Sequence, residues 1–367
     1  MLIGPSPLSP HSPTFPRSPT PPNTANMATI KTRICMISDT HTSTPHPPQK
    51  TDHAYRYPLP KANILLHAGD LTKVGYRVEY EAMISMLADA DAELKLVIAG
   101  NHDITLDEEY FTSFGYTRHQ RPEQLGEESI LLSDDNIQDT LRSSTPKTPN
   151  TDSLKAYARS IKSLWTSEAA RNAGIIYLEE GIHSFTLSTG AKFTVYASPY
   201  QPEFYNWAFA YDRNEDRYNP APAGLPQPQN PVPDYPAIDI MLTHGPPAGV
   251  LDQVPPDLNV GCENLLRAAR RAKPRLYLFG HIHEAWGAQR GVWDDGAAGG
   301  IRLEDVPRDM EEMLENRGAF CDVSDGAQRP LRVGEETLFV NGSIMTVNYE
   351  ARNAPWVVDL ELPVSGV

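Results

Sequence analysis

Leu94-Lys95-Leu96-Val97-Ile98-Ala99-Gly100-Asn101-His102-Asp103 decides how the rest of the chain reads. Its apolar part, bounded by a glycine and polar residues, predicts a buried strand that ends at a turn. The end of a buried strand is where an open α/β sheet places its chemistry. An amide, an imidazole and a carboxylate arrive there together. Gly-Asn is also an ordinary turn dipeptide, so the stretch gains its weight from other strand ends. Asp39-Thr40-His41 follows Ile34-Cys35-Met36-Ile37, and Gly69-Asp70 follows Ile64-Leu65-Leu66. His244-Gly245 follows Ile240-Met241-Leu242, and Gly280-His281-Ile282-His283 follows Leu276-Tyr277-Leu278-Phe279. Five strand ends carry one kind of cargo, which points to a hydrolase with two metal ions.

Carboxylate, imidazole and amide oxygen suit hard or borderline divalent cations, and no thiolate stands among them. Asp39 and His41, two apart where a strand frays into a loop, can face one ion. Asp70 can bridge two cations and offset their repulsion, while Asn101 adds an oxygen without charge. His281 and His283 can be aimed at neighbouring ions from one turn. Two metals about 3.5–4 Å apart hold a water and clamp the phosphoryl oxygens of an in-line displacement. His102 is then the candidate acid for the leaving oxygen, with Asp103 as its partner.

A lone histidine is usually a surface or satisfied core residue, and a Gly-Asp is usually a turn. Five such motifs, each at a strand end, favour metal binding over that reading. His67 is expected to hydrogen-bond toward Asp70. Glu284 either orients a ligand, meets substrate or is simply solvated. The cluster Tyr200, Phe204, Tyr205 and Trp207 either packs or stacks on a base or aryl group. His46, His53, His119 and His183 lack such neighbours and read as surface or packing residues.

At 367 residues the chain can bury a sizeable core as one large α/β domain or as two domains. A formal charge of −15 argues against a stable nucleic-acid complex, although bound cations can reverse the local sign at a phosphate site. Cys35, Cys262 and Cys321 are few, odd in number and far apart. They predict no disulfide framework and a reducing compartment, cytoplasmic or nuclear. No apolar run is long enough to span a membrane.

Residues 1–27 are dense in Ser-Pro and Thr-Pro and lack a secretory signal's apolar core, so a disordered tail is expected. Met27 is a second candidate initiator. The folded domain then runs over 28–367, with insertions at about 115–170 and 287–336. Helical spacing marks Arg77 to Ala92, the stripe Leu154, Tyr157, Ala158, Ile161, Leu164 and Trp165 capped by Thr151 or Asp152, and Cys262 to Ala272. Phe111 to Asn150 reads as loop. Gly174 to Leu178, Ile182 to Leu187 and Lys192 to Ala197 read as strands, as do Thr337 to Val340 and Trp356 to Leu362. Asn219 to Pro236 reads as a proline-rich loop, and 287–336 as an acidic insertion with a helix at Arg308 to Asn316.

These motifs resemble the five-motif signature of the calcineurin-like metallophosphoesterases, in the branch of metallophosphoesterase-domain-containing proteins. Ile37-Ser38-Asp39-Thr40-His41, Leu65-Leu66-His67-Ala68-Gly69-Asp70, Val97-Ile98-Ala99-Gly100-Asn101-His102, Thr243-His244-Gly245-Pro246-Pro247, Phe279-Gly280-His281-Ile282-His283-Glu284 and Val340-Asn341-Gly342-Ser343 carry the resemblance. It covers most of Arg33 to Leu362 but not the tail, much of 115–170, or 287–336. It implies a four-layer α/β/β/α sandwich with two mixed β-sheets. It makes Asp39, His41, Asp70 and His283 ligands of one metal, and Asp70, Asn101, His244 and His281 ligands of the other, with Asn341 close behind. Some members lack the histidine matching His281; here it is present, so a complete dinuclear site of Mn, Fe, Zn or Mg is expected. The implied activity is phosphoester hydrolysis of a small substrate, diesters before monoesters. The rivals are a phosphomonoesterase or protein phosphatase, and a scaffold of the same fold that binds metal or nucleotide without turnover.

Overall fold

The computed structural model describes residues 28–119 and 150–364. Thirteen strands build two large sheets. In chain order they are β1 (Thr29–Ile37), β2 (Ile64–His67), β3 (Leu94–Val97), β4 (Ile175–Tyr177), β5 (Gly181–Thr186), β6 (Lys192–Ser198) and β7 (Ile240–Thr243), then β8 (Leu276–Phe279), β9 (Gly287–Trp293), β10 (Ile301–Asp305), β11 (Ala319–Asp322), β12 (Glu336–Asn341) and β13 (Trp356–Pro363). One sheet has the order β11-β13-β1-β2-β3-β4 and the other β10-β9-β12-β8-β7-β6-β5. Both are mixed. β1, β2, β3 and β4 run parallel while β13 runs against β1. β6, β7, β8 and β12 run parallel while β5 and β9 run against their neighbours.

β1 alternates between exposed and buried at its outer end, then carries Ile34 to Ile37 with no exposure. A run buried on both faces belongs inside a layered α/β molecule. Ile34, Leu66 and Leu96 from one sheet meet Val195, Leu242, Leu278 and Val340 from the other in a shared core. Outside the first sheet lie α1 (Arg77–Ala88) and α2 (Thr151–Trp165), which pack Tyr80, Met83, Leu87, Ile161 and Trp165 against Leu65 and Val97. Outside the second lies α3 (Glu263–Ala272), whose Leu265, Ala268, Ala269 and Ala272 cover Met241, Tyr277 and Phe339. The result is the four-layer sandwich expected from the sequence.

Several boundaries differ from the sequence reading. α1 stops at Ala88, before Asp89-Ala90-Asp91, whose two carboxylates are unfavourable at a helix C-terminus. α2 is capped one residue earlier than expected, by the Asn150 side chain accepting from the Ser153 amide at 2.8 Å. The loop expected from Phe111 is helical as far as His119; the rest of it, up to residue 149, and the tail 1–27 lie outside the described residues. The segment 287–336 is woven into both sheets. β9 and β10 extend the second sheet, β11 joins the first, and α4 (Met310–Asn316) connects them. No helix among the described residues is long and apolar enough to cross a membrane.

Candidate metal centre

Because β1, β2 and β3 are parallel, their carboxyl ends fall on one edge and present Asp39, Asp70 and Asn101 side by side. The parallel strands β7, β8 and β12 bring His244, His281, His283 and Asn341 to the facing edge. The two edges are bonded together at the site. Ser38 donates its amide to the Gly342 carbonyl at 2.8 Å, and the Ile344 amide donates back to Ser38 at 2.9 Å. The His281 amide donates to the Asp39 carboxylate at 3.0 Å.

Asp39, His41, Asp70 and His281 all hold left-handed backbone, with φ of 53°, 42°, 55° and 67°. Such conformations are uncommon outside glycine, cost energy, and gather at functional sites. Two glycines make the approach possible. A Cβ on Gly280 would sit 2.2 Å from an Asp39 carboxylate oxygen, and one on Gly100 would sit 2.3 Å from Asp70 Oδ1.

Potential ligand atoms gather in three overlapping triads, each within 4.8 Å. These are Asp39, His41 and His283; His41, Asp70 and His102; and Asp70, His244 and His281. His41 Nδ1 lies 3.2 Å from the Thr72 carbonyl and His244 Nδ1 lies 2.9 Å from the Ala68 carbonyl. A carbonyl only accepts, so both Nδ1 atoms carry the proton and both Nε2 atoms present lone pairs. Those lone pairs face further acceptors. His244 Nε2 lies 2.9 Å from Asn101 Oδ1 and 3.4 Å from Asp70 Oδ1. His41 Nε2 lies 3.7 Å from Asp70 Oδ2 and 3.3 Å from His283 Nε2.

Burial pushes the His41 pKa down to about 4 and that of His281 to about 3, keeping both imidazoles neutral and able to ligate at neutral pH. Burial alone would lift the Asp39 carboxyl, but the His283 imidazole and the histidines around it hold it well below the usual carboxylate range. Buried acceptors that converge without protons between them repel one another. A cation among them removes that repulsion, so this donor set fits divalent metal.

Residues 32–285 match the family model described as calcineurin-like phosphoesterase. The chain belongs to the calcineurin-like phosphoesterase family. It is 30% identical over 338 residues to human metallophosphoesterase domain-containing protein 1, covering 90% of this chain and 72% of that one. The mouse protein of the same name gives the same values. Among solved structures, TT1561 of Thermus thermophilus aligns over 79% of this chain and 97% of its own, with a TM-score of 0.33 and 12% identity. Membership in this phosphoesterase family, together with the clustered ligand residues, makes the chain a metal-dependent phosphoester hydrolase by class.

Around the ligands, several expected partners are rearranged. Asp103 does not touch the His102 ring. It accepts from the amides of Leu71, Thr72 and Gly100 at 3.1, 3.0 and 2.8 Å and from the Thr72 hydroxyl at 2.8 Å. It therefore ties the Asp70 loop to the Asn101 loop. His102 instead places Nδ1 2.7 Å from the Lys73 carbonyl, and its amide donates to Asp70 at 2.8 Å. His67, expected toward Asp70, lies 3.0 Å from the Thr40 hydroxyl, because side chains on β2 alternate and its own points to the neighbouring loop.

Tyr200, a candidate for substrate stacking, lies beneath the Arg217 guanidinium at 3.7 Å and is not in the cleft. Trp207 has both ring faces covered by histidines. Asn341 donates to the Ile282 carbonyl at 2.9 Å and so holds the turn between His281 and His283. Glu284 is exposed and lines the cleft.

Tyr349 was not legible in the sequence. Its ring centroid lies 5.2 Å from that of His41 and 5.0 Å from that of His283, on a left-handed residue of a loop far from both in sequence. Its only sequence signal is nearness to the Asn341-Gly342-Ser343 motif.

Proposed function

We propose that this cleft hydrolyses phosphodiesters such as cyclic nucleotides or aryl diesters, with two divalent cations held by the paired edges and His102 as the acid. The observation that carries the reading is Asp70, whose Oδ2 lies 3.7 Å from His41 Nε2 and whose Oδ1 lies 3.4 Å from His244 Nε2, one histidine of each proposed ligand set. Bound there, the cations would supply Lewis acidity toward phosphoryl oxygens and lower the pKa of a water. Asp39, His41 and His283 would hold one, and Asn101, His244 and His281 the other, with Asp70 shared.

His102 keeps Nδ1 on the Lys73 carbonyl, so the proton it can pass to a leaving oxygen is the one on Nε2. The diester preference is supported by the cleft of about 570 Å³. Phe204, Val254, Val260, Val347 and Tyr349 line it, and among the described residues Arg213 is its only arginine or lysine, against Glu203 and Glu284 besides the proposed ligand Asp70. Away from the proposed cations, a monoester dianion finds two carboxylates around it, whereas a singly charged diester can lay its second ester group on the apolar wall. A small phosphoester is the proposed partner, and the reducing compartment suggested by the three unpaired thiols fits a cytoplasmic enzyme.

His102→Asn tests the acid. Metal content should stay at the wild-type value, because every proposed ligand remains. Hydrolysis of alkyl or nucleoside esters should fall by about 10²–10⁴-fold, and p-nitrophenyl esters should fall much less, since that leaving group needs no proton. An equal loss over a leaving-group series with metals retained would make His102 a substrate-orienting group. Loss of one metal would make it a ligand. Bis-p-nitrophenyl phosphate against p-nitrophenyl phosphate separates the diesterase from the monoesterase reading.

A further inference from the structure

Trp207 lies between the paired two-residue strands Gln201–Pro202 and Ala210–Tyr211. One face of its indole is stacked on His102, with centroids 3.9 Å apart and planes at 28°. The other is stacked on His119, at 4.0 Å and 23°. With both faces covered there is no room for a substrate ring on Trp207, and of the aromatic cluster considered from the sequence Phe204 is the member that lines the cleft.

The far side of the stack is anchored. His119 Nε2 lies 2.7 Å from the Tyr110 hydroxyl, and that hydroxyl donates to the Asn206 carbonyl at 2.5 Å. Because the Tyr110 proton goes to a carbonyl, His119 is the donor to the Tyr110 oxygen. Asn206 precedes Trp207, so the ring behind the indole is tied to the indole's own backbone. The Phe209 amide adds a second tie, donating to Asp107 at 2.9 Å.

On the near side, the His102 ring also meets the His41 ring edge-on, with centroids 4.7 Å apart and planes at 84°. Among the described residues, the His102 ring makes one hydrogen bond, from Nδ1 to the Lys73 carbonyl. The outer torsion of a histidine is broad, and one hydrogen bond with one edge contact restrains the ring while covering neither of its faces. A flat surface at van der Waals distance fixes the plane. That plane sets where Nε2 points.

We infer that Trp207, backed by His119, is a positioning residue for His102: the indole face holds the imidazole in the plane that directs Nε2 into the cleft. The inference rests on the reading of His102 as the acid. A misaligned acid loses most where protonation matters most, so the damage should depend on the leaving group.

The experiment compares kcat and KM of the metal-loaded full chain across alkyl, phenyl and p-nitrophenyl diesters for Trp207→Ala, Trp207→Phe, His119→Ala and Trp207→Ala/His102→Asn. Trp207→Ala should lower kcat on the alkyl ester by about 10–100-fold, the scale of a displaced catalytic group. KM and p-nitrophenyl turnover should change little. Trp207→Phe, which keeps a flat face, should recover most of the loss, and His119→Ala should give part of it. The double variant should be no worse than His102→Asn alone.

A second readout is independent of turnover. In the metal-free protein, the ring-current shift that the indole imposes on the His102 carbon-bound protons should vanish in Trp207→Ala and persist in His119→Ala. An equal loss across leaving groups, or a double variant with multiplied losses, overturns the inference, as does an absent ring-current shift in the wild type. Failure of the underlying reading looks different: His102→Asn itself would then show no leaving-group dependence.

Discussion

His67 sits one hydrogen bond behind Asp39-Thr40-His41 and has no exposure. Burial pushes its pKa from 6.5 down to about 3. Between those values the unfolded chain binds a proton on this imidazole that the folded chain does not. Stability therefore falls as pH is lowered through that window. In chelated protein, His67→Gln should lose less stability than wild type between pH 7 and pH 5, by at most about 2 kcal/mol. Asp103, raised to about 7 first by burial and then by the Asp70 charge, acts with the opposite sign. It is common to both proteins and cancels in the difference. Denaturant titration at the two pH values reads the effect, and identical pH dependence would remove His67 as the source. At this scale the sequence shows which residues carry chemistry, because Asp-Thr-His, Gly-Asp and Gly-His-Ile-His are local patterns. It does not show where a side chain turns. His67 choosing Thr40, Asp103 choosing backbone amides and His119 joining Trp207 are all decided by residues distant in sequence.

The strand ends are the elements on which the site depends. Gly280 lets the Asp39 carboxylate lie against the β8 turn, where a Cβ would come 2.1 Å from the Ser38 hydroxyl and 2.2 Å from Asp39. The two oxygens end side chains, but the Ser38 Cβ at 2.6 Å is held by the backbone, so the turn itself must also shift. Gly280→Ala should cost at least about 1–3 kcal/mol while turning Asp39 away from His283. Calorimetric titration with Mn²⁺ should show one site lost or severely weakened, and unchanged binding would mean that Asp39 is no ligand. β9 makes a contrasting case. Arg290 on β9 pairs with Glu336 on β12 at 2.8 Å, with their side chains 8% and 2% exposed. Glu336 also accepts from the Arg332 guanidinium at 2.9 Å and would keep that partner, so Arg290→Ala should lower stability by about 1–3 kcal/mol. Metal affinity should be unchanged, because the pair lies away from the ligands. Loss of metal without loss of stability would contradict this structural role. The strands of 287–336 escape a sequence reading because β10 is an edge strand, Ile-Arg-Leu-Glu-Asp, whose charges serve an exposed edge and hide the pattern.

At the scale of the molecule, two mixed sheets share a core, and the parallel strands of each deliver their carboxyl ends to one seam. Apolar runs such as Ile34 to Ile37 and Leu276 to Phe279 make the layered class legible from sequence, because strands buried on both faces need helices outside them. The strand order is less legible, since β11, β12 and β13 return to sheets begun more than a hundred residues earlier. The seam is what the functional account rests on: Asp70 from one sheet stands between histidines from both. The most direct test is turnover of bis-p-nitrophenyl phosphate by chelator-treated full chain during titration with Mn²⁺, with bound metal counted in parallel for wild type and Asp70→Ala. No turnover is expected without metal, activity should rise to a plateau at two ions per chain, and Asp70→Ala should lose tight binding of both ions, with kcat/KM down on the order of 10³-fold. Full activity in the chelated protein, or two tightly bound ions in Asp70→Ala, would contradict the two-ion reading.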